Sequence, residues 1–221
     1  MNKIKKIYSM LYKKFGPQGW WPTTLENELH PKHRGIAPRN EKERFEIIIG
    51  AILTQNTNWK NVEKAMFNLN KEKLIDINKI KKISVKKLGS LIRPSGYYNQ
   101  KAERLKLAVE FFFGNKNPSR EELLGLKGIG PETADSILLY AFNKPVFVVD
   151  AYTKRIFSRL GFCDGKCSYT ELQELFHKNL PKKVKLFNEY HALLVELGKN
   201  YCTKKPKCKN CLLNKLCKKF F

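Results

Sequence analysis

Residues 126–150, LKGIGPETADSILLYAFNKPVFVVD, constrain this chain more than any other stretch. Gly128 and Gly130, one residue apart, mark a turn, because glycine accepts positive φ and lets another backbone come close. Upstream, Ser119 and Glu122 have capping-box spacing for a short helix ending near Leu126. Downstream, Pro131 suits the first position of a second helix, where its missing N–H costs nothing. Ala134, Ile137, Leu138 and Ala141 give that helix an apolar face. Such a helix–hairpin–helix unit presents backbone N–H groups at a helix start, a ready anion site. The same residues also fit an ordinary tight helical hairpin. Asp150 follows an apolar run, residues 146–149, and precedes the amphipathic stretch AYTKRIFSRL. Aspartate there caps a helix, and the helix start favours its ionised form. A carboxylate so placed can also stabilise a cationic, sugar-like transition state or orient an attacking water. The two roles are compatible.

The charge balance points to a polyanionic partner. Lys and Arg number 43 against 20 Asp and Glu, a formal net charge of +23. Nucleic acid is the simplest partner for that excess, with an anionic membrane surface as the alternative. No apolar run approaches the roughly 18 residues that span a bilayer. The basic N-terminal stretch has no long apolar core and no small-residue cleavage site, which predicts a mature intracellular protein.

Taken in order, the chain predicts about ten helices and no convincing sheet, hence an all-α fold. Residues 4–15 are amphipathic, and Gly16, Pro17 and Gly19 end them before Trp20-Trp21-Pro22. The two tryptophans read as core plugs or as the aromatic wall of a pocket for a planar ligand. Residues 23–40 read as a polar connection. Residues 41–53 form a buried-looking helix that stops at the polar patch Thr54-Gln55-Asn56-Thr57-Asn58-Trp59. Helical spacing resumes over 61–69 and through 71–92, with a turn over 93–100. Further helices are expected over 101–113, 169–180 and 184–197.

The tail places Cys202, Cys208, Cys211 and Cys217 as C-x5-C-x2-C-x5-C. Four close thiolates in an intracellular chain point to zinc or a [4Fe–4S] cluster rather than to disulfides. The spacing alone does not choose between them. Cys163 and Cys167 stand apart in CDGKC and read as free thiols.

Together, the hairpin, Asp150 twenty residues after the second glycine, and the terminal four-cysteine loop resemble the endonuclease III superfamily of DNA glycosylases. The resemblance runs roughly from residue 20 to residue 217. It implies two helical domains with DNA across the cleft between them. One would be a helical barrel, residues 32–145, with the hairpin at about 119–142. The other would join residues 1–31 and 146–221 and carry Asp150 and the cysteine loop, 202–217. The resemblance also implies a [4Fe–4S] cluster rather than zinc, although the first spacing is one residue shorter than the common C-x6-C. It further implies DNA-backbone contacts from Lys127, Gly128, Ile129 and Gly130, with a monovalent cation at the hairpin.

Strand-cutting members of the family carry a lysine two residues after the Gly-Ile-Gly turn, whose amine attacks the sugar. Glu132 stands there, so the resemblance implies a monofunctional glycosylase using Asp150 and water. The finer likeness is to the 3-methyladenine glycosylases III, carried by Trp20-Trp21-Pro22, by Leu53-Thr54-Gln55-Asn56-Thr57 with Trp59, by residues 93–102 (RPSGYYNQKA), and by residues 128–135 (GIGPETAD). It implies that Trp20 and Trp59 sandwich a flipped base, with Trp21, Pro22 and Glu132 at the pocket. Gln55 would fill the gap left in the duplex, and Tyr97 would wedge between bases. The cysteine cluster departs from the members of that group used for comparison.

The expected substrate is therefore double-stranded DNA with an alkylated purine. The expected protein is a monomer in a prokaryotic cytoplasm, its product passed to an abasic-site endonuclease. The alternatives are a lyase-active glycosylase for oxidised pyrimidines, against which Glu132 argues, and a DNA-binding module without catalysis. A structural zinc protein that binds RNA is a further, weaker fit.

Overall fold

The chain opens on α1 (Lys3–Phe15), capped by Asn2, whose side chain accepts the Lys5 N–H at 2.9 Å. In this computed structural model, which describes residues 2–163 and 167–219, α1 belongs to a unit built from Met1–Trp20 and Lys144–Phe221. Trp21–Asn143 form a second unit. The fold is all-α, and among the described residues the β pairing is a single bridge between Thr23 and Lys32.

The Trp21–Asn143 unit is built on α2 (Glu41–Leu53). Ile47, Ile48, Ile49, Ile52 and Leu53 are at most 3% exposed, and a helix apolar on nearly every side is a core helix. α3 (Trp59–Lys71) begins at the polar patch after it, with Asn58 as its cap. Residues 71–92, expected to run on helically, divide into α4 (Ile77–Lys82) and α5 (Val85–Leu91). Asp76 and Ser84 are the cause. Their side chains accept the N–H groups of Lys79 at 2.9 Å and Lys87 at 3.2 Å, each starting a new helix. α6 (Tyr98–Gly114) begins three residues before the expected 101, straight after a 3-10 turn at Arg93–Ser95. α7 (Arg120–Leu124) and α8 (Pro131–Ser136) follow, and a π-helical turn, Ile137–Ala141, extends α8 against α2.

The polar segment before α2 is more ordered than a plain connection. Glu46, 1% exposed, accepts the Thr24 N–H at 2.9 Å and the Thr24 hydroxyl. Burial raises its carboxyl above the ordinary value, against the opposing bonds from Thr24. Glu46 thereby pins the segment carrying Trp21 and Pro22 onto α2. Gly50 completes the fit, since a Cβ there would lie 3.0 Å from Trp21 Nε1.

The other unit packs α1 and α9 (Ala151–Arg159) against α11 (Val184–Asn200), with α10 (Tyr169–Asn179) beside α1. Its core is aromatic. Phe147 stacks on Phe176 at 3.6 Å and meets Phe187 edge-on at 5.4 Å. The Tyr190 hydroxyl donates to the Ile4 carbonyl at 3.0 Å. Cys163 and Cys167, expected as free thiols, are instead joined in a disulfide. Their Cα atoms lie 5.7 Å apart, within the range a disulfide spans. Residues 164–166 between them lie outside the described residues.

Candidate functional site

The hairpin is assembled by local chemistry. Ser119 Oγ accepts the Glu122 N–H at 3.1 Å, and Glu122 Oε2 accepts the Ser119 N–H at 2.7 Å, completing the capping box of α7. The chain turns at Gly128, whose φ of +85° suits glycine. A Cβ there would also fall 2.2 Å from Arg104 Nε. Gly130 then caps α8, with Pro131 at its first turn. Lys127, Gly128 and Gly130 are exposed, and Ile129 is buried. A bidentate ion pair locks the two helices together. Arg120 donates from Nε at 2.7 Å and Nη2 at 3.1 Å to the carboxylate of Asp135, which is fully buried.

Gln55 belongs to the same assembly. Its amide donates to the Gly128 carbonyl and to Thr133 Oγ1, both at 2.9 Å, and its Oε1 accepts from Arg104 at 2.6 Å. Beside it, Lys101 is 1% exposed and donates from Nζ to the carbonyls of Leu53 at 2.8 Å and Ser95 at 2.7 Å. One cation thus joins the end of α2, just before Gln55, to the turn just before Tyr97. Burial, with the charge of Arg104, pushes its ammonium down to about 8. Tyr97 is 66% exposed, on left-handed backbone at φ +46°.

Trp21, 8% exposed, meets Trp59 edge-on at 5.5 Å and Tyr140 at 5.1 Å. Pro22 is buried with Trp21, and Trp59 is half-buried, its indole N–H donating to Glu63 at 2.9 Å. Glu132 is exposed on the first turn of α8. Trp20 belongs to the other unit, where its carbonyl accepts from Asn188 at 2.8 Å and Lys199 stands over its ring at 6.0 Å.

Asp150, in that same unit, caps α9, with Oδ1 accepting the Thr153 N–H at 2.7 Å. It is 8% exposed. Burial alone would raise its carboxyl. His191, whose Nε2 lies 3.7 Å from Oδ2, together with Thr153, outweighs burial and holds the carboxyl below its ordinary value. Its contribution to stability is therefore full above the ordinary carboxylate range and is lost as pH falls through the lowered value. In His191→Leu, the carboxyl is expected to titrate at higher pH, read from the side-chain ¹³C shift of Asp150. An unchanged titration would mean that Thr153 alone sets it.

Cys202, Cys208, Cys211 and Cys217 line one cavity of about 30 Å³, with Arg159 and Tyr201. Burial raises the Cys211 thiol above its ordinary value, with the other three cysteines adding to the rise and the Leu213 N–H opposing it. Arg159 Nη1 approaches Cys202 Sγ at 3.4 Å, and the Lys219 N–H approaches Cys217 Sγ at 3.4 Å. These donors favour negative charge on sulfur, whereas the Cys217 thiol donates to the Arg159 carbonyl at 3.0 Å. Among the described residues, no group of three His, Cys, Asp or Glu side chains is placed to hold a single metal ion. Nor is any helix among them long and apolar enough to cross a membrane.

Two residues that complete these assemblies carry no local motif: Arg104 and His191 are brought in by helix packing. Arg120 and Asp135 are 15 positions apart and share only the hairpin.

Residues 49–182 match the family described as HhH-GPD superfamily base excision DNA repair protein. A Methanocaldococcus jannaschii protein, provisionally named a DNA repair glycosylase, is 45% identical over 97% of this chain and 95% of its own length. Endonuclease III of Thermotoga maritima is 35% identical over 81% of this chain and 86% of its own. Among solved structures, the H. pylori 3-methyladenine DNA glycosylase bound to 1,N6-ethenoadenine is similar at a TM-score of 0.73 and 32% identity, covering 90% of this chain and 98% of that one. A non-covalent endonuclease III–DNA complex is similar at a TM-score of 0.79 and 25% identity, covering 99% and 97%.

Proposed function

The chain belongs to the HhH-GPD superfamily of base excision DNA repair proteins, and on that premise we propose a DNA glycosylase specialised for alkylated purines such as 3-methyladenine, which releases the base by hydrolysis and leaves the strand uncut. The observation that carries this reading is Glu132. It stands exposed on the first turn of α8, where strand-cutting members of the resembled superfamily carry a nucleophilic amine. The likeness to a glycosylase named for 3-methyladenine supports the substrate class.

The chemistry fits the residue types. The damaged nucleotide must leave the stack before its glycosidic bond can be reached. A purine methylated at N3 is cationic in the nucleotide, so it is a good leaving group, and the protein needs selective binding more than a strong general acid. Electron-rich tryptophan rings attract such a base by cation–π contact, about 1–2 kcal/mol each once desolvated. As the bond to C1′ breaks, its electron pair leaves with the base. Asp150 stabilises the oxocarbenium ion and orients the water that adds at C1′. Gln55 and Tyr97 hold the opened duplex, while Lys127 and the hairpin N–H groups, with a monovalent cation, hold the backbone. The excess positive charge gives salt-dependent binding during search. Cys202, Cys208, Cys211 and Cys217 would hold a [4Fe–4S] cluster, which would tie together four points of the tail.

The identity to endonuclease III of Thermotoga maritima favours a second reading, a lyase-active glycosylase for oxidised pyrimidines. One experiment separates the two. Iron is quantified in the purified protein, which is then incubated with methylated duplex and with thymine glycol duplex, scoring free base, strand breaks and borohydride-trapped complex. The proposal expects about four irons per chain, free 3-methyladenine, intact strands and no trapping. Cleavage and trapping on thymine glycol without release of the methylated base would establish the second reading. Tight lesion binding without turnover on either duplex would point to a module without catalysis.

A further inference from the structure

Residues 147–149 lead into Asp150 outside any helix or strand and with almost no exposure: Phe147 and Val148 are at 0% and Val149 at 1%. A buried segment ordinarily satisfies its backbone groups in a helix or a sheet. Among the described residues, the β pairing is one isolated bridge elsewhere in the chain, so these groups need other partners. They find them on α10. Gln173 donates its amide N–H to the Phe147 carbonyl at 2.7 Å, and His177 Nε2 accepts the Phe147 N–H at 3.0 Å. One turn earlier, the Tyr169 hydroxyl accepts the Val149 N–H at 3.4 Å. Tyr169, Gln173 and His177 are spaced i, i+4, i+8 and so lie along one helix face. Three side chains on a helix thereby do what a neighbouring strand does in a sheet.

The bonding is matched by packing. The Phe147 ring stacks on Phe176, and the His177 ring stacks on Phe187 at 5.5 Å. The segment is held both along its axis and against sideways tilt. Its last residue leads directly into Asp150, which caps α9. Both the Phe147 N–H and its carbonyl are taken by this one face, three residues before the carboxylate.

We propose that Gln173 and His177 are positioning residues that set where the Asp150 carboxylate stands, with Tyr169 a weaker third contact. This rests on the reading of Asp150 as the catalytic carboxylate. Reaction rates respond to ångström-scale displacement of such a group, about 100-fold for 1 Å. Binding of DNA draws on other residues, so a rate effect without a binding effect marks positioning.

The test compares His177→Gln, His177→Asn, Gln173→Leu and Asp150→Asn in single-turnover base release and in affinity for lesion duplex. Glutamine places an acceptor oxygen near the position of Nε2, and asparagine is too short to reach it. Base release is expected to fall about 10-fold or more in His177→Asn and Gln173→Leu, with affinity within about twofold, and His177→Gln is expected to restore most of the rate. The His177 pair keeps a polar amide at the site, so the comparison stands even if Gln173→Leu fails to fold. Equal rates in His177→Asn and His177→Gln would overturn the proposal, as would losses in affinity that match the losses in rate. Full activity in Asp150→Asn would instead overturn the catalytic reading of Asp150.

Discussion

Replacing Asp150 by asparagine is expected to slow single-turnover base release by about 10²–10³-fold while leaving the fold and lesion binding nearly intact. Asparagine caps helices as well as aspartate does, and its Oδ1 can still accept the Thr153 N–H that Asp150 accepts at 2.7 Å. The lost property is charge. In wild type that charge survives burial through His191 and Thr153, so it is present at neutral pH to face a developing cation. The comparison needs melting temperature, lesion affinity and release rate from one preparation. A folded, binding-competent variant with more than about a third of the wild-type rate would be far outside the range for an electrostatic stabiliser, and the carboxylate would then be a cap alone.

Arg120→Ala is expected to cost about 3 kcal/mol of folding stability, read by urea unfolding. Removing Arg120 takes from the buried Asp135 carboxylate its bidentate partner, and breaking a buried pair costs about 3–5 kcal/mol. The lower end applies because the Arg120 side chain is 31% exposed, whereas that of Asp135 is at 0%. The double variant Arg120→Ala with Asp135→Asn should recover part of the loss, since an amide is cheaper to bury than a carboxylate. DNA affinity should fall with stability, because this pair holds together the two helices flanking Gly128 and Gly130. A loss below about 1 kcal/mol would place the pair with solvent-exposed ones.

The division between what the sequence discloses and what it hides follows the range of the interactions. Ser119 with Glu122, Gly128, Pro131 and Asp150 act within a few residues, so spacing and residue type reveal the hairpin and the cap on α9. Asp76 and Ser84 are also local, and reading residues 71–92 by apolar period alone overlooked the two caps that divide them. Gln55 is different. Its place in a polar patch is visible, but its bonds to Gly128 and Thr133 span more than 70 positions. Lys101 stands in the 93–102 stretch that carries the family likeness, but the enclosure of its ammonium by the end of α2 and the Arg93–Ser95 turn shows only in the structure. Gln173 and His177 stand on α10 as ordinary polar residues, since nothing local says that a buried segment 26 to 30 positions earlier lacks a strand partner. The disulfide turns on the distance between Cys163 and Cys167, which compartment reasoning does not address.

The unit that holds Asp150 is made from both ends of the chain, Met1–Trp20 and Lys144–Phe221, and this orders events during synthesis. Trp21–Asn143 is continuous and has all its own helices once residue 143 has left the ribosome. α1 must wait with Ile4, Ile7 and Leu11 uncovered until α11 arrives, because the Ile4 carbonyl is met by Tyr190, 186 positions later. Contacts so distant form late and slowly. The candidate catalytic unit thus matures after the hairpin unit has the means to fold on its own, and the nascent chain carries α1 uncovered while the intervening residues are made.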